Sequence, residues 1–130
     1  MKVSFDFDST LSRKDVQQFA KSLVDKGHEV WIITSRFDDE TILEKGFIHA
    51  KDQNKILFEV ADDCGIKREN IKFTCMESKS KFIKNKEFAF HLDDDDIELM
   101  DILEMKDKCK PINVNYFDWD SVCLEIINKI

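Results

Sequence analysis

The sequence predicts an α/β protein of three layers, in which a doubly wound, parallel sheet of five strands lies between helices. Five short apolar runs alternate with segments whose apolar residues recur at helical spacing. The run at residues 29–33 is continuous and largely β-branched, which is typical of strands buried on both faces of a parallel sheet. Strands that alternate with helices are joined by right-handed crossovers, so the alternation predicts parallel pairing.

The first strand and the first helix are well marked. Residues 3–7 form an apolar run that ends in acidic residues, and residues 12–26 carry apolar side chains at helical spacing. Ser12, with Asp15 three residues on, fits the start of that helix, and Gly27 fits a left-handed C-terminal cap. The strand is therefore expected to feed directly into the helix.

The remaining elements repeat this unit. Residues 36–51 are mixed in character and predict no element, and residues 76–85 form a lysine-rich connector. The other predicted strands cover residues 29–33, 71–75, 88–92 and 111–117, and the other predicted helices cover residues 56–64, 97–106 and 118–130. One domain over residues 1–130 is expected, because a chain of this length builds one core.

Composition limits the function classes. With 42% hydrophobic residues, three Gly and one Pro, the chain has the composition of a compact globular protein. A formal net charge of −7 disfavours general binding of duplex DNA, whose phosphates need a basic surface. No stretch reaches the ~18 apolar residues of a membrane span, and the four cysteines lack C-x-x-C spacing. A soluble, cytoplasmic protein with reduced cysteines and no membrane partner is expected.

Two groups of carboxylates follow predicted strands. Asp6 and Asp8 lie two residues apart at a strand end, so their side chains point to one face. One such carboxylate can attack phosphorus while the other transfers protons, and a plain polar strand exit is the alternative. Residues 93–96 are four consecutive aspartates, which repel one another unless a cation compensates. A metal site is expected there, with Asp95 and Asp96 capping the following helix. The alternative is that all four aspartates form a solvated acidic turn.

These segments resemble, in order, the four motifs of the haloacid dehalogenase (HAD) superfamily. Residues 6–10 resemble the first motif, Asp-x-Asp-x-Thr after an apolar strand, and residues 30–34 resemble the second, a buried strand that ends in Thr. Lys79, fourteen residues before Asp93, is similar in placement to the third-motif lysine, and residues 93–94 match the acidic pair of the fourth. The resemblance covers nearly the whole chain.

The resemblance implies a Mg²⁺-dependent phosphomonoester hydrolase. Asp6 would form an aspartyl-phosphate, and Asp8 would protonate the leaving group and then activate water. Thr34, with Ser35 as an alternative, would hydrogen-bond the phosphoryl group, and Lys79 would offset its charge. The implied metal ligands are Asp6, the backbone carbonyl of Asp8, and one of Asp93 and Asp94. The implied substrate-binding residues are Ser9, Thr10, Ser35 and Arg36.

The resemblance also implies the strand order 5-4-1-2-3, which places strands 1 and 4 side by side at the switch point where ligands bind. Many relatives insert a cap domain, but only residues 36–51 are spare here, and they are too few for one. An open, capless site suits a macromolecular phosphate end, or a phosphorylated small molecule covered by the partner subunit of a homo-oligomer. Nucleotides and polynucleotide 3′ or 5′ ends are the implied substrates.

Several alternatives stay open. Lys81 is the rival of Lys79 as the third-motif lysine. Arg36 either holds a second anionic group of the substrate or pairs with Asp38 or Asp39. A receiver-like signalling domain with a phospho-Asp is disfavoured, because its acidic residues follow strands one and three, whereas here they follow strands one and four. A catalytically inactive Mg²⁺-binding scaffold is the remaining hypothesis.

Overall fold

The computed structural model describes residues 1–50 and 52–129 of the chain. Five strands form one sheet in which all neighbours are parallel, in the order β3-β2-β1-β4-β5, which read from the other edge is 5-4-1-2-3. The strands are β1 (Lys2–Phe5), β2 (Glu29–Thr34), β3 (Ile71–Phe73), β4 (Phe88–Asp93) and β5 (Lys110–Asn113). The predicted α/β class with five parallel strands is confirmed.

Helices cover both faces of the sheet. They are α1 (Lys14–Asp25), α2 (Asp39–Glu44), α3 (Lys55–Cys64), α4 (Ser80–Ile83), α5 (Asp96–Glu104) and α6 (Trp119–Asn128). The larger core lies on the face of α1, α3 and α6, where Val16, Leu57 and Cys123 pack against strand residues such as Phe5 and Phe90. The smaller core lies on the opposite face, where α4 and α5 contribute Ile83 and Ile102 beside Ile33, Phe88 and Cys109.

The chain turns sharply between β1 and α1. The compact turn Phe7–Leu11 is closed by two backbone bonds, from Leu11 N–H to the carbonyl oxygen of Asp6 at 3.0 Å and from Ser12 N–H to that of Phe7 at 2.9 Å. Ser12 Oγ accepts the backbone N–H of Ser9 at 3.1 Å. The predicted helix start at Ser12 is therefore wrong: Ser12 closes the turn instead of capping α1, which begins at Lys14.

Other boundaries shift for local reasons. The unassigned residues 36–51 include α2, whose N-cap Asp38 accepts the backbone N–H of Thr41 at 3.1 Å. The lysine-rich connector contains the single turn α4, and β5 ends at Asn113 because the chain then turns towards α6. Gly27 follows α1 with a φ of +89°, the left-handed conformation predicted for it. Ile130, the end of the last predicted helix, lies outside the described residues.

Two further observations concern the cysteines and the length of the apolar helices. The four cysteines are free thiols, three of them buried. Across residues 1–50 and 52–129, no helix has the length and apolar character needed to cross a membrane.

Candidate active site

The candidate site lies at the carboxyl edge of the sheet, between the neighbouring strands β1 and β4. Asp6 directly follows β1, and its backbone N–H donates to the carbonyl oxygen of Leu92 in β4 at 2.9 Å. Asp93 is the last residue of β4. Asp6 is 5% exposed and Asp93 is 0% exposed. Because β1 and β4 are adjacent, two acidic side chains far apart in the sequence meet at this edge.

Lys79 joins the two carboxylates. Its Nζ atom lies 2.8 Å from Asp6 Oδ1 and 2.7 Å from Asp93 Oδ2, and the residue is 2% exposed. Lys79 immediately precedes α4, and its backbone N–H donates to a glutamate carboxylate of α5 at 2.9 Å, which anchors the connector. Lys81 lies on the surface in an ion pair of 3.4 Å with the glutamate four residues before it. The structure thus brings Lys79, and not Lys81, to the carboxylates.

Asp93 accepts hydrogen bonds on both oxygens. Its Oδ2 atom accepts from Lys79 and lies 2.8 Å from His91 Nε2, while its Oδ1 atom accepts the backbone N–H groups of Asp94 and Asp95 at 2.8 and 3.1 Å. The part played by His91 was not predicted, because a lone histidine in an apolar strand carries little signal of its partners. The one signal is its spacing of two residues from Asp93, which puts both side chains on the same face of β4.

The buried cluster contains the carboxyl groups of Asp6 and Asp93 and a single ammonium group, that of Lys79. Burial raises the pKa of Asp6 to about 8, the charge of Asp93 adds to the rise, and Lys79 opposes it. Burial also opposes ionisation of Asp93, but the hydrogen bond from His91 and the charge of Lys79 outweigh it and hold the pKa of Asp93 below its usual range. Burial alone would lower the pKa of Lys79, but the two carboxylates raise it, whereas burial lowers the pKa of His91. Without a further cation, the buried cluster therefore favours ionisation of Asp93 and disfavours ionisation of Asp6.

Three carboxylates converge closely enough to share a cation. One oxygen each of Asp6, Asp93 and Asp94 lie within 4.8 Å of one another, and Asp94 is half-buried while the other two are buried. Carboxylate oxygens are the ligands that hard divalent cations such as Mg²⁺ prefer. A single ammonium does not balance three carboxylates, so both the charge and the chemistry of the donors fit a divalent metal ion.

The other two aspartates of residues 93–96, Asp95 and Asp96, lie at the N-terminus of α5. Asp95 is the N-cap, and its Oδ1 atom accepts the backbone N–H of Ile97 at 2.9 Å, as predicted. Asp96 is the first residue of the helix and accepts the side-chain amide of Asn113 at 2.8 Å. Its charge favours the helix N-terminus without capping it.

Asp8 and Arg36 form a separate ion pair beside the cluster. Arg36 Nε and Nη2 lie 2.9 and 2.7 Å from the two carboxylate oxygens of Asp8, which is a bidentate geometry. Arg36 Nη1 donates to the carbonyl oxygen of Gln53 at 2.6 Å. The Asp8 side chain is 57% exposed and that of Arg36 is 18% exposed. The alternative in which Arg36 pairs with Asp38 or Asp39 is therefore wrong, because Arg36 pairs with the second acid of the first motif.

The predicted hydroxyl residues fall in two environments. Thr10 Oγ1 donates to Asp6 Oδ2 at 3.3 Å and so touches the cluster. Thr34 is fully buried, and its Oγ1 atom accepts the backbone N–H two residues on at 3.2 Å. Ser35 is half-buried and Ser9 is exposed. Within the described part of the chain, the side chains of Thr34, Ser35 and Ser9 make no hydrogen bond to Asp6.

The predicted site residues thus fall into a group around Lys79, with Asp6 and Asp93, and the pair of Arg36 with Asp8. No protein-family model, curated protein or solved structure matches the chain. The resemblance of the motifs to the haloacid dehalogenase superfamily therefore stays a prediction.

Proposed function

We propose that the protein is a Mg²⁺-dependent phosphomonoester hydrolase of the haloacid dehalogenase superfamily, with Asp6 as the nucleophile. The supporting observation is the bridge that Lys79 makes between the buried carboxylates of Asp6 and Asp93, where β1 and β4 meet. A phosphate monoester brings more negative charge to this edge, so its binding requires cations fixed in place. Lys79 is one such cation, and the metal ion expected at the three carboxylates is the other.

Hydrogen bonding favours Asp94 over Asp93 as a metal ligand. Each oxygen of Asp93 already accepts two hydrogen bonds, which use the lone-pair positions of the carboxylate. No N–H group of the described residues donates to the carboxylate of Asp94, which lies beside that of Asp6. We therefore assign Asp6, Asp94 and the backbone carbonyl of Asp8 to the metal, and Asp93 to holding Lys79. Mg²⁺, when bound, orients the phosphate oxygens and neutralises their charge.

The residues of the chain then divide the reaction. The Asp6 carboxylate forms a bond to phosphorus as the ester P–O bond breaks, and the leaving oxygen takes a proton from Asp8. Asp8 next removes a proton from a water molecule whose oxygen attacks phosphorus, which releases phosphate and regenerates Asp6. Of the two Asp6 oxygens, Oδ2 is the freer, since its hydrogen bond from Thr10 is long at 3.3 Å. Lys79 offsets negative charge in both steps.

The Asp8–Arg36 pair points to the substrate class. Asp8 reaches the leaving group only after it leaves Arg36, because the guanidinium occupies both of its carboxylate oxygens. An anionic group of the substrate can take the place of Asp8 on the planar guanidinium, which frees the acid as the substrate binds. A substrate with a second anionic group near its phosphate, such as a nucleotide or a polynucleotide end, supplies both the phosphate that is cleaved and the anion that replaces Asp8 on Arg36. We propose this class, in the cytoplasm, with a capless site open to solvent or covered by the partner subunit of a homo-oligomer.

The test is release of inorganic phosphate from para-nitrophenyl phosphate and from a panel of nucleotides, with Mg²⁺ and with EDTA. We expect turnover by the wild type with Mg²⁺ only, and a loss of at least ~10³-fold in Asp6→Asn, because a nucleophile is removed. Asp8→Asn should lose ~10²-fold or more. The matched control is Asp62→Asn, since Asp62 is exposed and paired with Arg68 away from the site.

Each contrary outcome has one meaning. Wild-type activity that survives Asp6→Asn would exclude the assignment. Mg²⁺ binding without turnover on any substrate would favour the inactive scaffold, and a long-lived phospho-Asp after treatment with acetyl phosphate would favour the signalling domain.

A further inference from the structure

A buried chain of polar groups runs beneath the candidate site. Ser4 Oγ lies 2.7 Å from His91 Nδ1, and His91 Nε2 lies 2.8 Å from Asp93 Oδ2. All three residues are 0% exposed. A polar side chain inside an apolar sheet costs free energy unless it is hydrogen-bonded, and an aliphatic residue would fill the same space without that cost. The proposed reaction assigns nothing to Ser4 or His91.

An irregularity of β4 places the side chain of His91 on the same face of the sheet as that of Ser4. Lys2 pairs with Phe88, but Ser4 pairs with His91, so β4 contains one residue more than β1 between the two pairs. Phe88 accordingly packs in the smaller core, while Phe90 packs in the larger core on the opposite face. An extra residue of this kind reverses the alternation of side chains along a strand. With regular pairing Ser4 would meet Phe90, and His91 would point into the larger core.

The hydrogen bonds specify where the proton of His91 lies. Asp93 already accepts from Lys79 and from two backbone N–H groups, so it also acts as the acceptor towards His91, and Nε2 of His91 carries the hydrogen. Ser4 Oγ lies 2.7 Å from Nδ1 and 3.4 Å from the carbonyl oxygen of Phe90, so its hydroxyl hydrogen goes to the nearer acceptor, Nδ1. Asp93 Oδ2 is thereby held between His91 and Lys79, and Lys79 in turn contacts Asp6 at 2.8 Å.

We propose that His91 is a positioning residue: it fixes Asp93, which holds Lys79 against Asp6, and Ser4 fixes His91 in turn. The catalytic part of this inference rests on the proposed phosphatase function. His91 touches neither the nucleophile nor the expected metal ligand Asp94. Its loss should therefore affect turnover through the placement of Lys79 more than it affects the binding of substrate or metal.

The test compares His91→Phe, His91→Gln and Ser4→Ala with the wild type in kcat and KM for para-nitrophenyl phosphate at saturating Mg²⁺. We expect His91→Phe to lower kcat by ~10–100-fold with less than ~3-fold change in KM, as for other residues that orient a functional carboxylate. His91→Gln should recover most of kcat, because its amide N–H can donate to Asp93. Ser4→Ala should cause a smaller loss. Ser22→Ala is the matched control, since it removes a hydroxyl that donates to a backbone carbonyl in α1 at 2.6 Å.

Two results would overturn the proposal. One is an unchanged kcat in His91→Phe. The other is a folded His91→Gln that is as slow as His91→Phe, which would indicate a requirement for the imidazole shape alone. If His91→Phe fails to fold, Ser4→Ala decides in the same assay, and a kcat equal to that of Ser22→Ala counts against the proposal.

A measurement on the wild type separates this proposal from the proposed function. ¹⁵N NMR of the imidazole should show the hydrogen on Nε2 and not on Nδ1, whatever reaction the protein catalyses. A hydrogen on Nδ1 would overturn the hydrogen-bond chain. Correct tautomers together with no phosphatase activity in the wild type would instead count against the proposed function, and would leave His91 as a residue that positions Lys79 without serving this reaction.

Discussion

The candidate site contains two ion pairs of opposite character at the same edge of the sheet. Lys79 lies between Asp6 and Asp93, and all three residues are at least 95% buried. Arg36 pairs with Asp8, whose side chain is 57% exposed. Charges removed from water depend on one another strongly, and breaking such a pair leaves an uncompensated buried charge, whereas an exposed pair contributes little and exchanges easily with other ions.

The two ion pairs suit different roles in the proposed reaction. Asp6, the proposed nucleophile, lies in the rigid cluster, where its position is set by Lys79 and the strand ends. Asp8, the proposed acid, lies in the pair that can open. A nucleophile needs a fixed approach to phosphorus, whereas an acid that later acts as a base needs access to the leaving group and to water.

Lys79→Met should give the largest effect. It leaves the buried Asp93 carboxylate without its ammonium partner, so we expect the free energy of unfolding to fall by ~3–5 kcal/mol. Urea denaturation in EDTA measures this loss. Lys81→Met is the matched control, because Lys81 is paired only on the surface, and we expect a change within ~0.5 kcal/mol. Equal losses in the two variants would contradict the contrast between the buried cluster and the exposed surface.

The pH dependence of the free energy of unfolding should show the cost of ionising Asp6 in the buried cluster. The pKa of Asp6 is raised from 3.8 to about 8 by burial, so between these values the unfolded chain releases a proton that the folded protein retains. The stability due to protonated Asp6 is complete below pH 3.8 and is lost as the pH rises through 8. We expect this contribution of Asp6 to the stability of the metal-free protein to fall by ~1 kcal/mol per pH unit between pH 5 and 8. The lowered pKa of His91 acts on the total stability in the opposite direction, so the contribution of Asp6 is measured as a difference between variants.

Urea denaturation in EDTA at pH 5, 6, 7 and 8 measures this slope, and Asp6→Asn is its control because asparagine does not titrate. The difference between wild type and Asp6→Asn should fall steadily with rising pH. A difference that is constant over this range would show that Asp6 is already ionised in the buried cluster.

Arg36→Gln should have a smaller effect on stability. We expect the free energy of unfolding to fall by ~1 kcal/mol or less at low salt, and by less at 1 M NaCl, because the Asp8 carboxylate is exposed and screened. The same variant should lose more kcat/KM on nucleotides than on para-nitrophenyl phosphate, which has no second anionic group. A loss of stability as large as that of Lys79→Met, or equal losses on both substrates, would contradict a releasable pair that binds substrate.

The sequence predicted the buried cluster better than the exposed pair. Alternating apolar runs mark the strands, and the strand order that the family resemblance implies puts the first strand beside the fourth, so Asp6 and Asp93 were expected to meet. The partner of Arg36 was not predicted, because it depends on how the loops after β1 and β2 fold. The extra residue of β4 was not predicted, because residues 88–92 show no regular alternation of polar and apolar side chains that would reveal it. The contact between His91 and Ser4 depends on that residue, so it was not predicted either. The one turn of α4 has too few residues to show a helical period.

Backbone conformation is the remaining test, in the turn that separates Asp6 from Asp8. Ser9 has a φ of +59°, a left-handed conformation in which a β-branched side chain is strained and glycine is not. This residue lets the chain reverse so that Asp6 faces Lys79 while Asp8 reaches Arg36. We expect Ser9→Val to lower the free energy of unfolding by ~1–2 kcal/mol and Ser9→Gly to change it by less than ~1 kcal/mol. Thermal unfolding of both variants measures this. If the Ser9→Val and Ser9→Gly variants prove equally stable, the turn adopts another conformation in solution. The different positions of Asp6 and Asp8 would then depend on the strand ends alone.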